Sequence, residues 1–169
     1  MVERAPLPVD VLGRPYAAWW RRVVALVIDS LVVGVPARIL TVVLIGIPVQ
    51  GTTETAAGYQ ARLVGRALPF TVIVGLLFYG LLNGGLRGQT VGKRAMGIQV
   101  RDAATGEPIG VGRGMVRYVV VAVFSIFFGI PELLDGLVPL WDARRQSWHD
   151  KAVNSVVVSV PKGGSQPSQ

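Results

Sequence analysis

Among the charged side chains of the first apolar stretch of this sequence are Arg22 and Asp29. They stand seven residues apart, nearly two helical turns, so a helix would place them on one face about 10 Å apart. That is too far for direct pairing, and each needs a partner from elsewhere in the chain. A carboxylate within an apolar run must face protein, water or a cation, because burying its charge alone is costly. Asp29 therefore has two readings. It is either a hydrogen-bonded post that fixes helix packing or a group lining a polar path for a proton or small cation. Arg117, which opens a later apolar stretch, is either an anchor at a membrane edge or a counter-charge to a carboxylate of the first helix.

The segment WDARRQSWHDKAV, from Trp141 to Val153, gathers Asp142, His149 and Asp150 beside two tryptophans. A lone histidine supplies no metal-ligand set, and no nucleophile stands in a recognisable triad, so no enzymatic chemistry, metal or cofactor is expected. Histidine as a residue type titrates close to neutrality, so His149 is read as either a pH-linked group or a structural hydrogen-bond partner. With no cysteine, disulfides, iron-sulfur clusters and thiolate catalysis are excluded. GQTVGK at 88–93, with Gly88, Gln89, Gly92 and Lys93, invites comparison with a phosphate-binding loop. It fails the comparison, because Arg87 and Arg94 stand where such a loop needs glycine and a hydroxyl residue.

The elements that must position these residues are written in the hydropathy. Of 169 residues 51% are apolar and 16% charged, a balance that points to lipid as the solvent for much of the surface. The expected fold is an all-α membrane protein, a small bundle of three spans with helices over about 19–45, 67–86 and 116–141. Residues 1–14 form an amino-terminal cytoplasmic segment, 15–160 the membrane domain and 161–169 a flexible tail. Gly80, Gly84 and Gly88 recur at four-residue spacing, offering a small surface for close helix packing or marking a helix end.

Seventeen Lys and Arg against ten Asp and Glu give a net charge of +7, and the basic residues gather beside apolar runs. That distribution speaks for anionic lipid and against nucleic acid as the partner. Arg4, Arg14, Arg21 and Arg22 before the first helix, and six basic residues over 87–117, put the amino terminus and the second loop in the cytoplasm. A third full crossing would leave Arg144, Arg145, Lys151 and Lys162 outside. Pro131, Gly136, Glu132 and Asp135 interrupt that stretch, so a broken helix or hairpin is expected instead. MGIQVRD, EPIGVG and NSVVVSV carry strand-like patterns, and a small cytoplasmic sheet built from all three would keep the tail beside the second loop.

An ordered set of these residues resembles the RDD family, small bacterial membrane proteins named for an arginine and two aspartates. RRVVALVID in the first helix, GQTVGKRAMGIQV after the second, an arginine opening the third stretch and SWHDKAVNSVVV at the close carry the likeness over roughly 15–160. The resemblance implies that the family arginine is Arg22, the first aspartate Asp29 and the later aspartate Asp150, with Asp142 as the competing choice. It also implies that Gly88, Gln89, Gly92 and Lys93 form a common structural element beside the membrane. Asn154 and Ser155 depart from the glycine and threonine of many relatives before the final valines.

Two functions follow as expectations. One is proton or small-cation transport through Asp29 balanced by Arg22 or Arg117. The other is a non-catalytic accessory or assembly subunit of a larger membrane complex. A chain of this size has few helices to enclose a path, so a homo-oligomer or a larger complex is the expected assembly, in a bacterial inner membrane with the amino terminus inside.

Overall fold

The computed structural model describes residues 8–45, 72–126 and 130–160, with positions 55, 58, 65 and 69 between them. Most of the expected loop over 51–66, the start of the second expected helix and the tail over 161–169 lie outside the described residues.

The chain is mostly helical. Helix α1 (Trp19–Asp29) opens from extended Ala18, runs into a π-helical turn (Ser30–Gly34) and continues as α2 (Val35–Ile45). Residues 72–75 lead through a second π-helical turn (Leu76–Gly80) into α3 (Leu81–Gly84). After α4 (Val91–Ala95) come strand β1 (Ile98–Asp102) and α5 (Val111–Ile126). Helix α6 (Ile130–Leu137), a 3-10 turn (Val138–Leu140), α7 (Trp148–Ala152) and strand β2 (Ser155–Ser159) close the fold.

The expected three-span bundle is corrected. Among the described residues no helix is long and apolar enough to cross a membrane. The apolar run after Trp19 changes its winding at Ser30, so α1 has 11 residues and carries Arg21, Arg22 and Asp29. The third stretch begins earlier than expected, at Val111. Its helix α5 is described over Val111–Ile126 and includes Arg113 and Arg117, and α6 is described over Ile130–Leu137. Counting apolar residues along the chain treats each run as one straight helix. Neither the change of winding nor the placing of charges inside the fold is visible to such a count.

Strands β1 and β2 pair antiparallel, with Val100 opposite Val157. Alternation gives the pair two buried faces. Ile98, Val100 and Val157 pack with Ala17, Ala25 and Ile109, and Val156 and Val158 pack with Ala103 and Tyr16. The expected third strand, EPIGVG, does not form, because Val111 already starts α5. Its place is taken by the segment before α1. Ala17 donates to Val157 O at 2.8 Å and Ser159 donates to Pro15 O at 2.8 Å, so β2 lies between β1 and residues 15–17.

Glycines let the backbones approach. A β-carbon at Gly92 would collide with the Ala25 carbonyl oxygen, which is how closely α4 lies on α1. At Gly80 it would stand 2.7 Å from Met115 Cγ and at Gly84 2.5 Å from Val111 Cα. Both glycines thus form the seat of α5. Gly88, at φ +58°, turns the chain beneath the Val100 carbonyl, and Val100 N donates back to Gly88 O at 2.7 Å.

Candidate functional site

Asp150 is fully buried at the first turn of α7, and three elements converge on it. Arg22 of α1 reaches Oδ2 through Nη1 at 2.8 Å, and Arg117 of α5 reaches Oδ1 through Nη2 at 2.5 Å. Ser147, the residue that caps α7, donates to Oδ2 from its backbone N–H at 3.1 Å and from its hydroxyl at 2.9 Å. Ser155 of β2 donates its hydroxyl to Oδ1 at 3.3 Å. One carboxylate therefore ties α1, α5, α7 and the sheet together. Burial, the largest single influence, pushes its pKa up. Arg117, His149, Arg22 and the Ser147 N–H outweigh it and hold Asp150 well below the usual carboxylate range.

The guanidinium groups exceed what Asp150 can satisfy. Arg22 Nε and Nη2 and Arg117 Nη1 are buried with no hydrogen-bond partner among the described residues. The cluster is thus rich in donors and positive in potential, and it depends on its one shared anion.

Asp29 serves a neighbouring junction. Its Oδ2 accepts from the Thr90 hydroxyl at 2.5 Å and its Oδ1 from the Gly92 N–H at 2.7 Å. Both donors belong to the start of α4, where an orphan helix N–H needs an acceptor. Thr90 itself accepts from Lys93 N at 3.3 Å. GQTVGK is thereby a short capped helix held on α1. Gln89 secures the following strand by donating to Ile98 O at 3.0 Å.

Lys93 projects from α4 and bonds Asn83 Oδ1 of α3. Burial and the nearby Arg117 lower its pKa from 10.5 to about 7, with Asp150 and Asp29 opposing the fall. Protonating Lys93 is therefore harder in the folded than in the unfolded chain. Between about pH 7 and 10.5 the unfolded state holds the extra proton, so stability should rise with pH across that window. Lys93→Met is expected to flatten this rise in chemical denaturation measured at a series of pH values. An unchanged slope would mean that the ammonium is solvated.

His149 is held by Asp135 of α6, which bonds its ring Nδ1 and accepts from its backbone N–H at 3.0 Å. Its Nε2 lies 3.9 Å from Asp150 Oδ1. Asp142 stands apart from the cluster. It organises the turn before α7 by accepting from Arg144 N at 3.1 Å and Gln146 N at 2.9 Å, and it pairs with Lys151 Nζ at 2.5 Å. Of the two competing aspartates, Asp150 is the one in contact with Arg22.

The sequence reading did not single out Thr90, Asn83 or Ser147, and it treated Asp135 only as a charge too costly for the bilayer centre. Asp135 carried the same signal as Asp29, a carboxylate in an apolar run. Ser147 stands three residues before Asp150, the spacing at which a helix cap and an acidic side chain meet. Among the described residues no group of three or more His, Asp or Glu side chains is arranged to hold a metal ion.

The arginine and aspartates that meet or neighbour one another in this fold lie within the stretch where the sequence matches a known family, residues 16–154 of the RDD family. The chain belongs to the RDD family. Relatives within reach include a proline-rich antigen homolog of Mycobacterium tuberculosis, 31% identical over 159 residues, which cover 86% of this chain and 64% of that protein. The uncharacterized protein YxaI of Bacillus subtilis is 26% identical over 151 residues, covering 84% of this chain and 96% of YxaI. The proline-rich antigen of Mycobacterium leprae is 29% identical over 163 residues, covering 86% of this chain and 61% of that protein. The chain thus spans less than two thirds of the length of the mycobacterial RDD proteins. No solved structure matches it.

Proposed function

We propose that this RDD protein acts at a membrane as a non-catalytic assembly module, with its buried charges fixing the fold and its apolar helix faces engaging lipid or partner helices. The observation that carries this reading is an inverted distribution of polarity. Asp29, Thr90, Arg117, Asp135 and Asp150 are buried, whereas Leu31, Ile39, Ile130 and Leu133 are 59–68% exposed. Aliphatic side chains outside and charges inside suit an apolar surrounding, since a protein facing water on all sides rarely leaves so large an apolar surface uncovered. RDD proteins are in general membrane-associated, which supports the same reading.

The test is flotation of the full chain with phosphatidylcholine vesicles, followed by purification in mild detergent. Flotation that resists high salt and reproducible recovery of other membrane proteins are the expected results. Protein that remains at the bottom of the gradient would sink the proposal. A chain that floats but purifies only with copies of itself would remove the accessory role.

A second reading, proton-coupled transport, draws on Lys93. Its pKa of about 7 suits a group that takes up and releases a proton at physiological pH, and it lies beside Arg117, Asp150 and Asp29. On this reading Lys93, rather than Asp29, is the working group. Proteoliposomes carrying the protein should then dissipate an imposed pH gradient, and Lys93→Met should stop them. Gradients that persist equally with wild-type protein and with empty vesicles would end the transport reading.

A further inference from the structure

Beside the first turn of α1 lies an open cleft of about 400 Å³, lined by Pro15, Trp20, Arg21, Met96 and Ser159 among others. Its walls come from three places: the start of α1, the turn between α4 and β1, and the end of β2. Arg21 supplies the only charged side chain in the lining among the described residues, and its guanidinium carbon sits 5.5 Å from the centre of the Trp20 ring. Among the described residues no acidic side chain lines the cleft. Arg94, next in the chain to the lining residue Ala95, is exposed. The cleft therefore offers a guanidinium steadied over an indole, with a mostly apolar floor.

The same helix face continues away from the cleft as an uncovered apolar stripe. Trp20, Val24, Val27 and Leu31 follow at helical spacing, exposed by 53, 38, 53 and 60% respectively. From Trp20 to Leu31 the helix rises roughly 16 Å, about half the ~30 Å thickness of the hydrocarbon layer. A cationic, indole-lined notch at one end of an aliphatic strip one leaflet long matches one kind of molecule in charge, polarity and length.

We propose that this cleft binds the headgroup of an anionic phospholipid, with the phosphate on Arg21, the glycerol region against Trp20 and the acyl chains along Val24, Val27 and Leu31. The site gives chemical identity to the membrane contact proposed above and rests on that reading. Trp20 contributes an amphipathic ring of the type favoured at the headgroup level. Arg21 supplies the charge that separates anionic from zwitterionic lipid. Arg22, one position along, turns inward to Asp150 and takes no part.

The experiment uses the full chain and flotation with two vesicle types, phosphatidylcholine alone and phosphatidylcholine mixed with phosphatidylglycerol. Arg21→Gln is compared with Arg87→Gln, which removes an exposed arginine outside the cleft. Wild-type protein should prefer the anionic vesicles. Arg21→Gln should lose about fivefold of that preference, the effect expected of one basic residue at a charged surface, while still floating with phosphatidylcholine. Arg87→Gln should keep the full preference. Equal losses in the two variants would show a diffuse basic surface and overturn the site, as would a wild type that does not distinguish the vesicles. Displacement from anionic vesicles by inorganic phosphate, but not by chloride at equal ionic strength, would assign the cleft to free phosphate and overturn the lipid. Failure to float with phosphatidylcholine as well would instead remove the membrane reading on which the site rests.

Discussion

Asp150→Asn should destabilise the fold more than any other single neutral substitution in this chain, by roughly 3–5 kcal/mol, because it strips a buried ion cluster of its shared anion. Arg22 and Arg117 would be left facing each other with donors already in excess at Arg22 Nε, Arg22 Nη2 and Arg117 Nη1. Chemical denaturation of the purified variant measures the loss. The pair Asp150→Asn with Arg117→Gln separates charge from shape, since removing one orphaned cation should restore part of the stability if repulsion and desolvation are the cause. A double variant no more stable than Asp150→Asn alone would assign the loss to the Ser147 and Ser155 hydrogen bonds instead. The sign of the pH dependence follows from the lowered pKa. A carboxyl whose pKa falls on folding contributes stability that is complete above the unfolded value near 4 and is lost as the pH drops towards the folded value. The wild type should therefore be acid-labile below about pH 4, and the Asn variant should show less of that loss.

Asp29→Ala is the second large effect, on the order of 2–4 kcal/mol, because two buried donors, the Gly92 N–H and the Thr90 hydroxyl, lose their acceptor together. Asp29→Asn keeps an oxygen in place and should cost about 1 kcal/mol, with the Thr90 hydroxyl accepting from the new amide. The two variants distinguish a post from a titrating site. If Asn folds nearly as well as Asp and behaves alike in vesicles, Asp29 acts through its hydrogen bonds. If Asn folds but alters proton movement in vesicles, the carboxyl has a role that its present partners do not explain. Proteolysis within residues 87–96 gives a local readout, since α4 should be the first element to loosen when its cap is removed.

Much of the candidate site could be read from the chain because it rests on chemistry in the wrong place. A charge within an apolar run demands a partner, and that rule selected Asp29 and, as counter-charges to it, Arg22 and Arg117. It could not say who the partners were. Asp29 and Arg22 share a helix face, yet Asp29 bonds a helix start 61 residues onward and Arg22 an aspartate 128 residues onward, and separations of that order are set by packing. The strands MGIQVRD and NSVVVSV were legible through the turn-forming DAATG after the first and the β-branched density of the second, as was the pairing between them. The substitution of residues 15–17 for EPIGVG was not, because a strand of one or two residues leaves no periodic trace. The helices fared worse. Ser30–Gly34 and Leu76–Gly80 contain no proline, and their residue types do not distinguish a π-helical turn from ordinary helix. An apolar count therefore could not register either change of winding.

The position of β2 carries a consequence for biogenesis. The strand is the last regular element described, yet it lies between β1 and the residues preceding α1, and the aspartate that neutralises Arg22 comes just before it. While the ribosome is still making the middle of the protein, Arg22 has no counter-ion and residues 15–17 have nothing to pair with. Closure must wait for Asp150 and β2 to leave the exit tunnel. Until then the nascent chain presents an unpaired edge and an uncompensated cation, which makes the interval before Asp150 and β2 emerge the period in which this fold most needs protection from misassembly.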